Sequence, residues 1–368
     1  MEKILLFGGT FDPPHKGHLH LLHTALEQVE ADRVLLIPAF IPPHKDHTPA
    51  LSFDVRCGVL KDWFGHVPNL EISDVEQKRG GKSFTVDTVE TILAENPNSE
   101  LYLLIGTDMF LSFETWHRFQ DLLSLVTLVV GSREVGDRKA LNDYKTHLLE
   151  SYSCKGILLC EMEPVVCASS DLRAAGDGLA QRALEHIGKE LNVKRARHTM
   201  QVADYAKKLA VKYGVDPEKA YLGGLLHDCT RCYSTEWHID FAQKHGQPFS
   251  QRDLESPMVL HQFTGAIFAR EILGATDPEL LSAIACHTTG KANMSDLDML
   301  LMFADSCEPG RDYPGVQQLR EAGEQDLKQG TLMLIESMIA SLSSIGASLH
   351  PQTLQARECL TKELKKNG

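Results

Sequence analysis

The sequence lacks an excess of positive charge, a disulfide framework and any long apolar run. Its 368 residues include 37 Lys and Arg against 50 Asp and Glu, and the formal net charge of −13 argues against broad binding to nucleic acid or to anionic membranes. Nine cysteines are scattered, and one CxxC pair, Cys229 and Cys232, is weak evidence for a zinc or redox site, so reduced thiols are expected. No stretch approaches a membrane span, and the opening MEKILLFGGT is too short for a signal-peptide core. A cytoplasmic protein is therefore expected.

The length favours two domains, because one ordinary core seldom serves 368 residues. The first half alternates short apolar runs with helix-spaced apolar residues. Strands are predicted at 4–7, 34–38, 101–105 and 125–130, and helices at 19–29, 84–93 and 119–123. This alternation predicts an α/β Rossmann-like domain, a parallel sheet with helices on both faces that binds ligands beyond the carboxyl ends of its strands.

The character of the sequence changes after about Ala174. Ala203, Ala206 and Leu209 recur at helical spacing, and no convincing strand or repeat follows. An all-α domain is predicted here. The boundary is placed near Gly178, which gives domains at 1–176 and 179–368.

A glycine-rich segment with two histidines, GGTFDPPHKGHL, follows the first predicted strand and opens a helix. Glycines let the backbone approach a ligand closely, and a helix amino terminus offers free N–H groups to phosphate. His15 and His18 are three residues apart and can face the same side of the first turn. Two imidazoles there can stabilise charge during nucleotidyl transfer, which needs no protein nucleophile.

This segment resembles the signature of the HxGH nucleotidyltransferases, and specifically of nicotinate-mononucleotide adenylyltransferase. Four further segments are similar to that family in the same order: PPHK at 42–45, KSFTVDT at 82–88, IGTD at 105–108 with WH at 116–117, and SSDLR at 169–173. The resemblance runs from about Met1 to Arg173.

The resemblance implies that ATP and nicotinate mononucleotide are the substrates, with Mg²⁺ accompanying the nucleotide. His15 and His18 would hold the ATP phosphates, aided by Lys45 and Arg173. The implied ATP side also includes Gly8, Gly9, Thr10, Phe11, Gly106, Asp108, Ser169 and Ser170. The implied nicotinate-nucleotide side includes Lys45, Thr85, Asp108 and Trp116, the last as a stacking partner of the pyridine ring.

The second half contains six candidate metal ligands, most of which adjoin apolar helical stretches. Polar groups at the ends of such stretches are either costly burials or ligands. Mixed imidazole and carboxylate ligands suit Fe, Mn or Zn at open hydrolytic sites. The candidates are His198, His227, Asp228, His261, His287 and Asp305.

This pattern resembles the HD-domain phosphohydrolases, and more closely the bacterial HD family that cleaves diadenosine tetraphosphate to two ADP. The resemblance implies one metal held by four ligands, His198, His227, Asp228 and Asp305. Asp228 would bridge to a second metal held by His261 and His287, and a di-iron pair is implied. Arg231 and Arg311 would contact substrate phosphate. A structural ion pair of Arg311 is an open alternative.

The sequence therefore predicts a bifunctional enzyme. Two alternatives stay open for the second half: a different nucleotide phosphohydrolase, or a noncatalytic nucleotide sensor. The complete set of ligands argues against the sensor. Another acceptor for the first half, such as phosphopantetheine, is disfavoured by the PPHK and FTVDT segments.

Overall fold

The computed structural model describes residues 1–14, 16–43, 49–131, 138–160 and 178–367. The chain divides into two compact units, Met1–Asp171 and Leu172–Gly368. The boundary near Gly178 stays a prediction, because residues 161–177 lie outside the described ranges. In the described ranges, no helix is both long and apolar enough to cross a membrane.

A six-stranded parallel sheet forms the centre of the first unit. In chain order the strands β1 to β6 are Glu2–Gly9, Arg33–Pro38, Leu70–Ile72, Ser99–Gly106, Thr127–Gly131 and Gly156–Cys160. Their spatial order is β3-β2-β1-β4-β5-β6. The chain therefore builds outward from β1 to one edge, returns to the middle at β4, and then builds the other half. Such a reversal leaves a crevice beyond the carboxyl ends of the two central strands.

Helices and apolar clusters cover both faces of this sheet. Ile4 and Leu6 belong to one buried cluster, whereas Leu5 and Phe7 belong to another, because successive side chains of a strand point to opposite faces. The described helices α1 to α7 are Lys16–Gln28, Phe53–Phe64, Val75–Arg79, Thr85–Glu95, Thr107–Leu111, Phe119–Leu125 and Arg138–Ser151, with a 3-10 turn at Phe113–Thr115. The predicted α/β fold with helices on both faces is confirmed.

Four of the strands were expected from the sequence, and two were not. The two unexpected strands, β3 and β6, form the edges of the sheet. The exposed Glu71 interrupts the apolar residues of β3, whereas β6 contains a short apolar run, ILLC, that was not predicted as a strand. The predicted strand at 125–130 is wrong at its start. Leu125 is the last residue of α6, and the Val126 N–H closes the final helical turn on the Leu122 carbonyl at 3.2 Å.

The described part of the second unit is helical, as predicted, with no strand among residues 178–367. Helices α8 to α18 are Leu179–Glu190, Val193–Tyr213, Pro217–Leu226, Thr235–Lys244, Gln251–Leu254, Leu260–Glu271, Pro278–Cys286, Asp296–Cys307, Val316–Gln325, Leu327–Ser344 and Pro351–Asn367, with a 3-10 turn at Pro257–Val259.

Two of these helices, α10 and α14, share the same start and end. Each begins with an Asp–Pro pair, and the carboxylates of Asp216 and Asp277 each accept two backbone N–H bonds of the first turn, at 2.9–3.2 Å. Each helix ends one residue before a histidine, His227 or His287. The Asp–Pro pairs thus set the starts of the helices that carry these two imidazoles at their ends.

A close crossing joins α9 to α10. A Cβ added at Gly224 would lie 2.3 Å from the Cα of Ala203, so the two helices touch at backbone distance and only glycine fits there. The helix α9 carries His198, and α10 leads directly into His227. This crossing therefore sets the separation of two candidate ligands.

Candidate active sites

The glycine-rich segment of the first unit lies where the strand order reverses. Phe7 of β1 pairs with Leu104 of β4, so Gly9 and Gly106, each two residues further along parallel strands, lie side by side. The helix α5 begins directly after Gly106. The structure therefore brings residues 8–9 and 106–108 to the same crevice.

The ring of Phe11 shapes the loop that follows β1. The backbone φ of Phe11 is +49°, and its ring is 1% exposed, with its centroid 5.4 Å from that of Phe7 and 5.0 Å from that of His18. A Cβ added at Gly9 would lie 3.0 Å from this ring, so a larger residue would displace the loop. A Cβ at Gly8 would meet no described atom within 4 Å, which leaves that backbone open to a ligand.

Two buried charged residues tie this loop to the segment that leads into α2. The Asp12 carboxylate accepts hydrogen bonds from the N–H groups of Ala50 (2.8 Å) and Leu51 (2.9 Å). Arg56, 1% exposed, donates to the carbonyl oxygens of Thr10 (2.7 Å) and Leu51 (3.2 Å). Burial lowers the pKa of the Arg56 guanidinium. Neither Asp12 nor Arg56 was predicted as a site residue, although Asp12 lies within the signature.

Two of the described residues predicted for the nicotinate-nucleotide side lie in first helical turns, and the third, Trp116, follows a 3-10 turn. Thr85 begins α4, and Asp108 is exposed in the first turn of α5. Trp116 is half-buried, and its ring centroid lies 5.0 Å from that of Phe113. Stacking of Trp116 on a pyridine ring stays a prediction.

Ser83 joins the KSFTVDT segment to the start of the PPHK segment. Its hydroxyl accepts hydrogen bonds from the N–H groups of Phe40 (2.9 Å) and Ile41 (3.3 Å), and Ile41 forms a parallel bridge with Lys82. Because Ser83 is buried and stands two residues before Thr85, it fixes the approach of one segment to the other.

Five predicted residues of this site lie outside the described residues: His15, Lys45, Ser169, Ser170 and Arg173. Their roles stay predictions. Of the described members, Gly8, Gly9, Gly106 and Asp108 lie at the crevice, and His18 lies beside the Phe11 ring.

In the second unit, all six predicted metal ligands come together. His198 lies on α9 and Asp305 on α15, His261 lies on α13, and His227, Asp228 and His287 follow the ends of α10 and α14. Ligand atoms of His198, His227 and Asp305 lie within 4.8 Å of one another, and so do those of His227, Asp228 and His287.

The two oxygens of Asp228 face different histidines. Oδ2 lies 3.5 Å from His227 Nε2 and 4.0 Å from His198 Nε2. Oδ1 lies 3.3 Å from His261 Nε2 and 3.8 Å from His287 Nε2. A carboxylate in this position can contribute one oxygen to each of two adjacent ions.

The far sides of the imidazoles are held by hydrogen-bond acceptors. His227 Nδ1 lies 2.7 Å from the Gly224 carbonyl oxygen and His287 Nδ1 lies 2.8 Å from that of Ile284. With Nδ1 donating, Nε2 of each ring presents a lone pair to the cluster. The buried Glu308 carboxylate likewise accepts from His198 Nδ1 at 3.2 Å. Such outer contacts are typical of histidines that bind metals.

The polar atoms of the cluster fit metal ions. His227 Nε2 is buried and has no hydrogen-bond partner among the described residues, and buried polar atoms are seldom left without one. His261 Nε2 and His287 Nε2 lie only 3.1 Å apart. Imidazole nitrogens and carboxylates together suit Fe, Mn or Zn.

The electrostatics of the cluster keep most of its ligands in the states that metals require. Burial would raise the pKa of Asp228, but the neighbouring histidines hold it well below its usual value. Burial lowers the pKa of His287 to about 4, so this imidazole is neutral at pH 7. At His198 burial acts in the same direction, but the carboxylates of Asp305 and Glu308 outweigh it and raise the pKa.

Three guanidinium groups contact the cluster. Arg195 Nη1 lies 2.7 Å from Asp228 Oδ2, Arg311 Nη2 lies 2.9 Å from Asp305 Oδ1, and Arg231 Nη1 lies 2.6 Å from His261 Nδ1. Arg195 was not predicted, although it stands three residues before His198 and therefore shares its helical face. Arg311 forms the ion pair that the sequence left open, and its contact with phosphate stays a prediction.

Two family models match the chain. Residues 6–173 match the model described as cytidylyltransferase-like, and residues 195–310 match the HD domain model. The first match covers nearly all of the first unit, and the second covers part of the second.

Several known proteins are similar to this chain. A Mycoplasma genitalium protein named probable nicotinate-nucleotide adenylyltransferase/Ap4A hydrolase is 27% identical over 353 residues, 91% of this chain and 97% of that protein. A Clostridium tetani probable nicotinate-nucleotide adenylyltransferase is 32% identical over 173 residues, 47% of this chain and 86% of that protein. A solved structure from Clostridium acetobutylicum, described as a "predicted HD superfamily hydrolase involved in NAD metabolism", is 35% identical, with a TM-score of 0.49, and covers 50% of this chain and 96% of that one.

Proposed function

This chain belongs to the nicotinate-nucleotide adenylyltransferase family, and an HD domain follows that region along the sequence. From this premise we propose that it is a bifunctional enzyme. The first unit transfers AMP from ATP to nicotinate mononucleotide, and the second hydrolyses diadenosine tetraphosphate to two ADP. The names of full-length relatives support this pairing.

The adenylyl transfer is supported by the phosphate loop, the glycine-rich segment of residues 8–12 that lies at the crevice. A phosphate oxygen of nicotinate mononucleotide attacks the α-phosphorus of ATP, and pyrophosphate leaves with the electron pair of the broken bond. The open backbone at Gly8 lets phosphate approach, and the His18 imidazole donates to it. His15, Lys45, Ser169, Ser170 and Arg173 would complete the phosphate contacts, and Mg²⁺ would accompany ATP.

A competition between acceptors tests this part. The purified chain is given ATP and Mg²⁺ with nicotinate mononucleotide, with phosphopantetheine, or with both, and the products are separated by chromatography. Deamido-NAD and pyrophosphate are expected in equal amounts from nicotinate mononucleotide. Dephospho-coenzyme A as the main product of the mixture would refute the choice of acceptor.

The hydrolysis is supported by one observation above the others, the convergence of the six candidate metal ligands, with four imidazoles around Asp228. Bound metal ions, iron or else Mn or Zn, would lower the pKa of water and polarise the attacked phosphorus. Arg195, Arg231 and Arg311 place positive charge where the polyphosphate must lie. Water adds to one central phosphorus, the central P–O–P bond breaks, and the second ADP leaves with the electron pair.

Metal analysis combined with product analysis tests this part. The metal-loaded chain is expected to hold two ions and to release ADP alone from diadenosine tetraphosphate. His261→Ala should lose one ion and reduce hydrolysis by about 100-fold. The control His245→Ala should retain both ions and the wild-type rate of hydrolysis. AMP and ATP as products would show that the enzyme cleaves diadenosine tetraphosphate asymmetrically. Binding of diadenosine tetraphosphate without cleavage would show that the second unit is a noncatalytic nucleotide sensor.

A further inference from the structure

A cavity of about 780 Å³ opens beside the metal-ligand cluster of the second unit. Asp305 and Arg311 form part of its wall, together with Thr288, whose hydroxyl lies 3.2 Å from His261 Nε2. The volume falls within the range of sites that hold small molecules and cofactors. Cavity and cluster therefore form one continuous site.

The helix α17 supplies a neutral wall to this cavity. Leu334, Met338 and Leu342 line it at four-residue spacing, which places them on one helical face about 12 Å long at 1.5 Å per residue. Ser337 and Ser341 line it from the same helix. All five of these side chains are uncharged, so this wall offers apolar surface and hydroxyl groups but no positive charge to pair with phosphate.

Aromatic and thioether groups complete the apolar surface. The Tyr313 hydroxyl donates to the Ser306 carbonyl at 2.9 Å, which fixes the orientation of a ring that also lines the cavity. Met258 lines it too and is 70% exposed. Rings and thioethers are well suited to contact a flat heteroaromatic group, and serine hydroxyls to bond ribose and base edges.

We propose that this cavity seats one nucleoside of the dinucleotide substrate, with its base and ribose along the neutral wall of α17. The charge distribution sets the direction of binding, because phosphates are stabilised near the guanidinium groups of Arg195 and Arg311 and not along the neutral wall. The base then anchors the substrate so that a central phosphorus reaches the cluster. This inference rests on the proposed hydrolysis.

Inhibition of hydrolysis by two related phosphates tests the inference. The full-length, metal-loaded chain hydrolyses diadenosine tetraphosphate in the presence of AMP, which carries a base, or ribose 5-phosphate, which does not. Only the hydrolytic site is read out, so binding to the first unit does not interfere. AMP is expected to have an inhibition constant about tenfold lower than that of ribose 5-phosphate, since base contacts contribute about that factor.

Filling the cavity provides the second half of the test. Ser341→Trp should raise the KM for diadenosine tetraphosphate about tenfold and remove the advantage of AMP, with little change in kcat. Ser337→Trp, one turn earlier, serves if the first variant does not fold. The matched control is Ser343→Trp, because Ser343 is exposed on the same helix and is not part of the cavity wall.

The outcomes separate this inference from the proposed function. Equal inhibition by AMP and ribose 5-phosphate in an active enzyme would overturn the nucleoside site alone, as would an unchanged KM in folded Ser341→Trp and Ser337→Trp. A wild-type chain that leaves diadenosine tetraphosphate intact would overturn the proposed hydrolysis and this inference with it.

Discussion

Buried charged side chains have different roles in the two units. In the second unit, Asp228 is 3% exposed and lies among imidazole nitrogens, where a carboxylate has a chemical use. In the first unit, Arg56 is buried just as deeply but donates to the backbone carbonyl oxygens of Thr10 in the phosphate loop and of Leu51 before α2. The first arrangement is suited to catalysis and the second to positioning.

Replacing Arg56 tests the positioning role. Arg56→Met removes the donors to the Thr10 and Leu51 carbonyl oxygens, so the free energy of unfolding should fall by about 3 kcal/mol and adenylyl transfer should slow. Urea denaturation and deamido-NAD synthesis are the measurements, with the exposed Lys61→Met on the same helix as control. A transfer rate equal to that of the control would refute the role.

The buried His238 predicts a pH dependence of stability. Burial, with the nearby Arg231, lowers its pKa to about 4, whereas an unfolded histidine titrates near its usual value. At pH values between these two pKa values, His238 is protonated in the unfolded chain and neutral in the folded chain. The contribution of His238 to stability therefore falls as the pH drops, by about 2 kcal/mol from pH 7 to pH 5.

Urea denaturation of metal-free protein at several pH values measures this effect. In His238→Gln, the free energy of unfolding should fall less steeply between pH 7 and pH 5 than in the wild type. In His245→Gln it should fall as steeply as in the wild type. Identical slopes for wild type and His238→Gln would show that this histidine is not the titrating group.

At the scale of elements, helix ends and one helix crossing place the ligands of the second unit. The Asp–Pro starts of α10 and α14 fix where His227 and His287 fall, and Gly224 lets α10 approach the helix of His198. The geometry of the cluster therefore depends on a residue that is not a ligand.

Gly224→Ala tests this dependence. Its methyl group would overlap the backbone of Ala203, so the helices must separate, and we expect about 2–3 kcal/mol of lost stability with reduced metal content. Gly223→Ala is the matched control, because its Cβ would meet only side-chain atoms of Leu301 and Leu280 at 3.4 Å or more. Elemental analysis and thermal unfolding are the measurements. Equal metal content in the two variants would contradict the proposed dependence.

The sequence predicts some of these features much better than others. The six ligands could be found because most of them adjoin an apolar helical run, and the central strands because each contains a continuous apolar run. Strand β3 could not, because it has only three residues with Glu71 at its centre, whereas the ILLC run of β6 carries a signal that could have been used. Arg56 bonds to backbone carbonyl oxygens, which leave no pattern in the residues around it.

At the scale of the whole molecule, the chain carries two candidate sites, one in each compact unit. Both proposed reactions handle adenine nucleotides, although the net charge of −13 would repel them. Local groups offset that charge, namely the guanidinium cluster in the second unit and the open backbone of the phosphate loop in the first. The cytoplasmic location expected from the sequence stays a prediction.

The most direct test measures deamido-NAD synthesis and diadenosine tetraphosphate hydrolysis on the same purified sample of each of three proteins: wild type, His18→Ala and Asp228→Asn. The wild type should make deamido-NAD and hydrolyse diadenosine tetraphosphate. His18→Ala should lose about 100-fold in deamido-NAD synthesis and retain hydrolysis, and Asp228→Asn should show the opposite pattern. A wild type that lacks either activity, or a single substitution that removes both from a folded chain, would contradict two separate sites.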